Sequence, residues 1–170
     1  MFSLMYMYQY TDYASGLYYK SHSPGIRYRY SFSRQLYSEA RFGYDLIRTS
    51  EVDSYNKPYF SLAIIDDIDR NTRASLMFGK RYSLRMGNDS IVDNWWLQGE
   101  YRRYLFARFL GAASFYYGEG EYLLTNTLVK FFGITVSAHY ELTRQISAYV
   151  QYNFLRSRTW MEGDFMDGYY

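Results

Sequence analysis

Residues 127–155 constrain the fold more than any other stretch of the chain. Two runs of alternating side chains are joined by a very short break. In the first run Leu128, Phe132, Ile134, Val136, Ala138 and Tyr140 share one side, and Gly133, Thr135, Ser137, His139 and Glu141 share the other. After Leu142, Thr143, Arg144 and Gln145, a second run sets Ile146, Ala148, Val150, Tyr152 and Phe154 against Ser147, Tyr149, Gln151 and Asn153. A period of two is the strand period, because successive side chains point to opposite faces. Each run is about ten residues or more, long for a soluble strand but matched to a tilted strand that crosses a bilayer. The pair reads as one hairpin of an outer-membrane β-barrel.

The same alternation predicts nine strands, near 2–13, 26–33, 36–48, 58–65, 72–82, 94–102, 104–117, 127–141 and 146–155, followed by a tail, 156–170, without clear period. The cleanest is 26–33, where Ile26, Tyr28, Tyr30 and Phe32 oppose Arg27, Arg29, Ser31 and Ser33. Strand 104–117 is ambiguous by hydrophobicity, and Arg108 decides its facing. An arginine at the lipid midplane costs about 2–4 kcal/mol, so Arg108 is set inward and Ala107, Phe109, Gly111, Ala113 and Phe115 outward. Breaks near 14–25, 49–57, 83–93 and 118–126 read as long, and those near 34–35, 66–71, 102–103 and 142–145 as short. Long loops on one side and short turns on the other are the asymmetry of transmembrane barrels, and the short turns mark the periplasmic side.

The expected fold is therefore all-β, a single domain over 1–170, forming an antiparallel transmembrane β-barrel of nine to ten strands. Nine is an odd count, and an open edge in lipid leaves backbone groups unpaired at several kcal/mol each. Either the tail supplies an irregular tenth strand or the chain is an incomplete part of a larger barrel; the second reading is preferred. Residues 1–13 hold no Lys or Arg and already alternate, so they read as a strand and not as a signal peptide.

Composition agrees. Aromatics make up 22% of the chain, with 23 Tyr, while Pro occurs twice. Tyrosine suits strands and membrane interfaces, having an apolar ring and a polar hydroxyl. Mean hydropathy is −0.41 and no run of 18 apolar residues occurs, which a barrel does not need. Net charge is +2, from 19 basic and 17 acidic residues, too balanced to argue for nucleic acid. With no Cys, disulfides and thiolate metal sites are excluded.

Two segments carry a family likeness. Asp69-Arg70-Asn71-Thr72-Arg73-Ala74-Ser75-Leu76 and Glu141-Leu142-Thr143-Arg144-Gln145-Ile146-Ser147-Ala148 resemble the turn-and-strand patterns of "porin 2"-like outer-membrane β-barrel porins, including exopolysaccharide- and PEP-CTERM-associated barrel proteins. The resemblance is best over about 36–157. It implies a bacterial outer-membrane barrel with a pore or export role, and no catalytic residues. The chain departs from such barrels near its end, where Glu162, Gly163, Asp164 and Asp167 precede Gly168-Tyr169-Tyr170 without alternation.

The candidate functional residues are the charged side chains of the inward faces: Arg27, Arg29, Glu39, Arg41, Asp45, Arg73, Arg81, Glu100, Arg102, Arg108 and Glu141. Arginines lining a pore give an anion preference. The competing expectation, and the favoured one, is a salt-bridge ladder that fills a narrow barrel, since eight to ten strands leave little lumen. Tyr6, Tyr8, Tyr10, Tyr28, Tyr30, Tyr44, Trp95 and Tyr152 read as interface girdles, whereas inward Tyr37, Trp96, Tyr116 and Tyr149 could stack on a sugar. His139 and Glu141 share a face but fall short of a zinc ligand set. Asp66-Asp67-Ile68-Asp69 lacks calcium-loop spacing, and Gly118-Glu119-Gly120 reads as a loop tip.

The expected function is passive: a porin-like channel or export component with a polar lumen, partnered by outer-membrane lipid and by polysaccharide or small solutes. No cofactor and no enzymatic activity are expected. The alternatives are a non-conducting scaffold, an outer-membrane enzyme using His22, Glu119 or Glu121, and a soluble lipid-binding barrel, which would need a polar outer face.

Overall fold

A computed structural model describes residues 1–12, 18–49, 55–84, 91–122, 127–143, 145–161 and 164–169. Alternation along the sequence becomes strand after strand. They are β1 (Phe2–Asp12), β2 (Tyr18–Ser31), β3 (Leu36–Thr49), β4 (Tyr55–Asp66), β5 (Thr72–Leu84), β6 (Ile91–Phe106), β7 (Phe109–Tyr122), β8 (Thr127–Glu141), β9 (Ser147–Met161) and β10 (Asp164–Tyr169). Each pairs with its neighbour in sequence, so one antiparallel sheet runs β1 to β10 in order. The class is all-β and antiparallel, as the alternation requires. The sheet is open: among the described residues β1 pairs only with β2 and β10 only with β9.

Cross-strand register turns local alternation into two continuous faces. Phe2, Tyr28, Ala40, Leu62, Phe78, Leu97, Tyr117 and Phe132 are successive partners and form one row of the first face. Ile64, Leu76, Phe115, Ile134 and Val136, on the same face, are all exposed. On the second face the corresponding row is Ser3, Arg27, Arg41, Ser61, Gly79, Trp96 and Gly118. The few buried apolar side chains are there too: Ile47, Tyr37, Tyr19, and a small cluster of Val92, Tyr122 and Val129 against Phe131. The apolar face thus lies outside and the polar face inside, the reverse of a soluble barrel.

The second face is concave. Strands β2 and β5 are three positions apart, about 14 Å in a flat sheet. Arg81 on β5 nevertheless reaches Ser23 on β2, with Nη2 3.4 Å from Oγ. Glycines make room for the large side chains on this face. Tyr59 lies over the directly paired Gly25 and Gly43, Trp96 approaches Gly79, and Phe131 occupies the space a side chain at Gly118 would take.

Three of the turns at one end share a device. Ser33 Oγ accepts from the backbone N–H of Gln35 and Leu36 at 3.1 and 2.9 Å. Thr143 Oγ1 accepts likewise from Gln145 and Ile146 at 3.2 and 3.0 Å. Asp69 does so with two oxygens, Oδ1 accepting from Asn71 N–H at 2.6 Å and Oδ2 from the Thr72 hydroxyl at 3.0 Å. Such side chains replace backbone partners in tight turns. The Asn71 N–H in particular holds the Asp69 carboxyl below its ordinary value.

Several boundaries differ from expectation. The tail is ordered into strand: β9 extends to Met161, and β10 pairs back onto it through Asp164↔Met161 to Tyr169↔Arg156. The breaks taken as long are shortened by strands that run on into them. Ser21, Ser23, Gly25, Gly118 and Gly120 in these stretches lie on the concave face, whereas Lys20, His22, Glu119 and Glu121 lie on the outer face, so polarity there does not mean loop. Residues 18–25 lie in β2, where Pro24 is accommodated because the ladder with β3 passes from His22↔Leu46 directly to Gly25↔Gly43. Proline has no N–H for the omitted position. Gly118-Glu119-Gly120 is not a loop tip but lies within β7, toward its end. The turn placed at 102–103 falls instead at Ala107-Arg108, so the intervals between strands no longer sort into long and short. Expectations for 13–17, 50–54, 85–90, 123–126, Arg144, 162–163 and Tyr170 lie outside the described residues.

Candidate functional site

Residues from β1 to β6 border a hollow of ≈610 Å³, with Ser23, Arg27, Glu39, Arg41, Ser61 and Arg81 of β2 to β5 as its polar wall on the concave side and Leu4, Met5, Met7 and Met77 among its apolar residues. Three arginines stand at its wall, and the register explains why. Arg27 and Arg41 are directly opposed on β2 and β3, and Arg81 projects from β5 on the same side. Arg81 makes a fork onto Asp45, with Nε to Oδ2 at 3.4 Å and Nη2 to Oδ1 at 3.5 Å. Asp45 is 2% exposed, among the most buried side chains described. The guanidinium of Arg81 also lies 5.2 Å from the Tyr59 ring.

The other two arginines share one carboxylate. Arg41 Nε donates to Glu39 Oε1 at 2.6 Å, and its Nη2 approaches the same oxygen. Arg27 Nε stands 3.6 Å from that oxygen, outside hydrogen-bond reach, and this buried donor has no hydrogen-bond partner. Arg29, next on the same side of β2, places its guanidinium 3.7 Å from the centre of the Tyr37 ring.

A second hollow, ≈300 Å³, lies toward the turn end and shares Met77 with the first. It is lined by Ile65, Arg73, Ser75, Met77, Glu100 and Arg102. Arg73 and Arg102 are direct cross-strand partners. Arg73 donates from Nη2 to the Tyr37 hydroxyl at 3.0 Å and pairs with Asp67 at 3.6 Å.

Of the eleven residues singled out from the sequence, Arg27, Glu39, Arg41 and Arg81 border the larger hollow, with Asp45 bound to Arg81. Arg73, Glu100 and Arg102 border the smaller one, and Arg29 is on the same face against Tyr37. Arg108 and Glu141 stand apart. Arg108 is not on a strand but in the β6–β7 turn, where Nη1 lies 3.5 Å from the Leu142 carbonyl oxygen. Its position settled nothing about facing; Phe109, Gly111, Ala113 and Phe115 lie on the outer face because their cross-strand partners do. Glu141 ends β8 opposite Ser147.

The residues of the enzymatic alternative do not gather. His22 is on the outer face of β2, its Nδ1 bonded to the Tyr6 hydroxyl and its ring 5.0 Å from that of Tyr8. Glu119, on β7, pairs with Lys130 at 3.2 Å. His139 packs near Tyr149, with ring centroids 6.5 Å apart. Among the described residues no three His, Asp or Glu side chains gather as metal ligands.

Sequence reasoning missed Tyr59, Ser23, Met77 and Asp67. Tyr59 alternates in phase with Ser61 and Ala63, so its face was readable. Its place over Gly25 and Gly43 depends on register across three strands, which alternation alone leaves free.

No family model, no curated protein and no solved structure matches this chain.

Proposed function

We propose that the protein is a bacterial outer-membrane β-sheet protein of barrel type that passes small solutes along its polar concave face. The observation that carries this reading is the inversion of faces. Over most of the sheet the convex side presents Leu, Ile, Val, Phe and Tyr to the surroundings, while arginines, carboxylates and hydroxyls line the concave side. In water such an outer face would be an aggregation surface. In lipid it is the apolar band a transmembrane sheet requires, with Tyr and Trp at its margins as interface anchors. Transport would then be passive, along a path set by charged side chains.

A second reading, a non-conducting scaffold, has one observation in its favour. Arg81–Asp45 and Arg73–Tyr37 both span from β5 to β3 over β4, so paired side chains brace the concave face. One experiment separates the two. The full chain is reconstituted in a planar bilayer and stepwise conductance is recorded. Discrete steps support the channel; protein shown to be inserted but silent supports the scaffold.

A further inference from the structure

We propose that the concave face is an oxyanion-binding track with two stations, one at Arg27–Arg41 and one at Arg73–Arg102. The proposal rests on that face being open to water, as in the preceding reading, but it does not need conduction.

The argument starts from register. Antiparallel sheets avoid like charges directly opposite one another, because such pairs are destabilising. This sheet places arginine against arginine twice on one face, at Arg27↔Arg41 and at Arg73↔Arg102. Neither pair is fully neutralised by the ion pairs seen. Arg27 and Arg41 share the single carboxylate of Glu39, and both approach the same oxygen. The Arg27 Nε donor is buried and makes no hydrogen bond. At the other station Arg73 has Asp67 at 3.6 Å, while Glu100 lines the hollow beside Arg102. Arg81 is different, because its fork is already filled by Asp45.

Each opposed pair faces a hollow, and Met77 borders both hollows. A guanidinium fork matches the paired oxygens of a carboxylate or phosphate, and a charge-assisted bond of this kind is about twice as strong as a neutral one. An oxyanion between Arg27 and Arg41 would relieve their repulsion and give the orphaned Nε an acceptor. The two hollows adjoin at Met77, whose cross-strand row also carries Glu39, so an anion moving from one station to the other passes that carboxylate. The ligand class is thus a small oxyanion, phosphate or carboxylate.

The test uses the full chain folded in detergent, titrated with inorganic phosphate in one arm and acetate in the other. Calorimetry and tryptophan fluorescence are the readouts, since Trp96 lines the larger hollow. Saturable binding is expected in at least one arm, and the arm that saturates identifies the oxyanion. Arg27→Gln and Arg102→Gln should each weaken it five-fold or more with strand content unchanged. Arg27→Lys, which keeps the charge and loses the fork, should fall between. Arg48→Gln, on the outer face, should bind as the wild type does. A wild type without saturable binding in either arm overturns the proposal, as does equal weakening by Arg48→Gln. A flat titration with conducting bilayers removes the track and keeps the channel. Silent bilayers with saturable, Arg27-dependent binding do the reverse.

Discussion

Arg81 on β5 forks onto Asp45 on β3, over the top of β4. The two partners are unequally placed, with side-chain exposures of 38% for Arg81 and 3% for Asp45. Removing either one therefore has a different cost. Arg81→Met leaves a carboxylate buried with its counter-charge gone, a loss of about 3–5 kcal/mol. Asp45→Asn leaves an arginine that water can reach, and should cost about 1 kcal/mol. Urea unfolding of the detergent-folded protein, followed by circular dichroism, measures both. Equal losses would mean that the pair does not brace the concave face as described.

The apolar outer row gives the second prediction. Leu62, midway along β4 and exposed, is opposed by Ala40 and Phe78. Under the membrane reading, Leu62→Arg should lower folding stability in lipid vesicles by about 2–4 kcal/mol. If the chain were soluble, the same change would improve solubility at little cost, so folding yields with and without vesicles discriminate.

Gly118 and Phe131 face each other in the ladder between β7 and β8, and the phenyl ring fills the space over the glycine. Gly118→Ala introduces a methyl group where that ring lies, at about 1–3 kcal/mol. Phe131→Ala in the same chain should recover part of the loss. A double-mutant cycle in urea reads the coupling, and strict additivity would show that the ring moves aside freely.

The Asp69 turn supplies a pH dependence. Its carboxyl is held below the ordinary value of 3.8, chiefly by the Asn71 N–H. A depressed carboxyl stabilises the fold above its unfolded value, and that contribution is lost as pH falls through the folded value. Between pH 5 and about pH 3 the wild type should therefore lose stability relative to Asp69→Asn, which has no proton to take up. Thermal melts of the two proteins across that range are the measurement, and parallel curves would exclude a role for the turn.

Much of this architecture was legible because a period of two survives in nearly every strand. Residues 26–31, 73–79 and 132–141 carry it without interruption, and their facing was read correctly from side-chain type alone. The start of β2 and the end of β7 were not read as strand. Lys20–Gly25 and Gly118–Gly120 look like loop by composition, yet Ser21 and Ser23 line the concave face, the glycines make room there for bulky side chains, and Lys20, His22 and Glu119 stand on the outer face. Arg108 misled for a related reason: near a strand end, a charge marks the turn as readily as it marks the inner face. The arginines themselves were found from alternation. Their direct opposition was not, since it depends on register between strands, and a shift of one residue would have removed it.

The short strand β10 also alters a matter of parity. Neighbours in this sheet alternate in direction, so a ninth strand runs the same way as the first and a tenth runs against it. With β10 in place, the two free borders of the sheet point in opposite senses. That is the relation an antiparallel ladder demands, and both lie on a surface already curling toward itself.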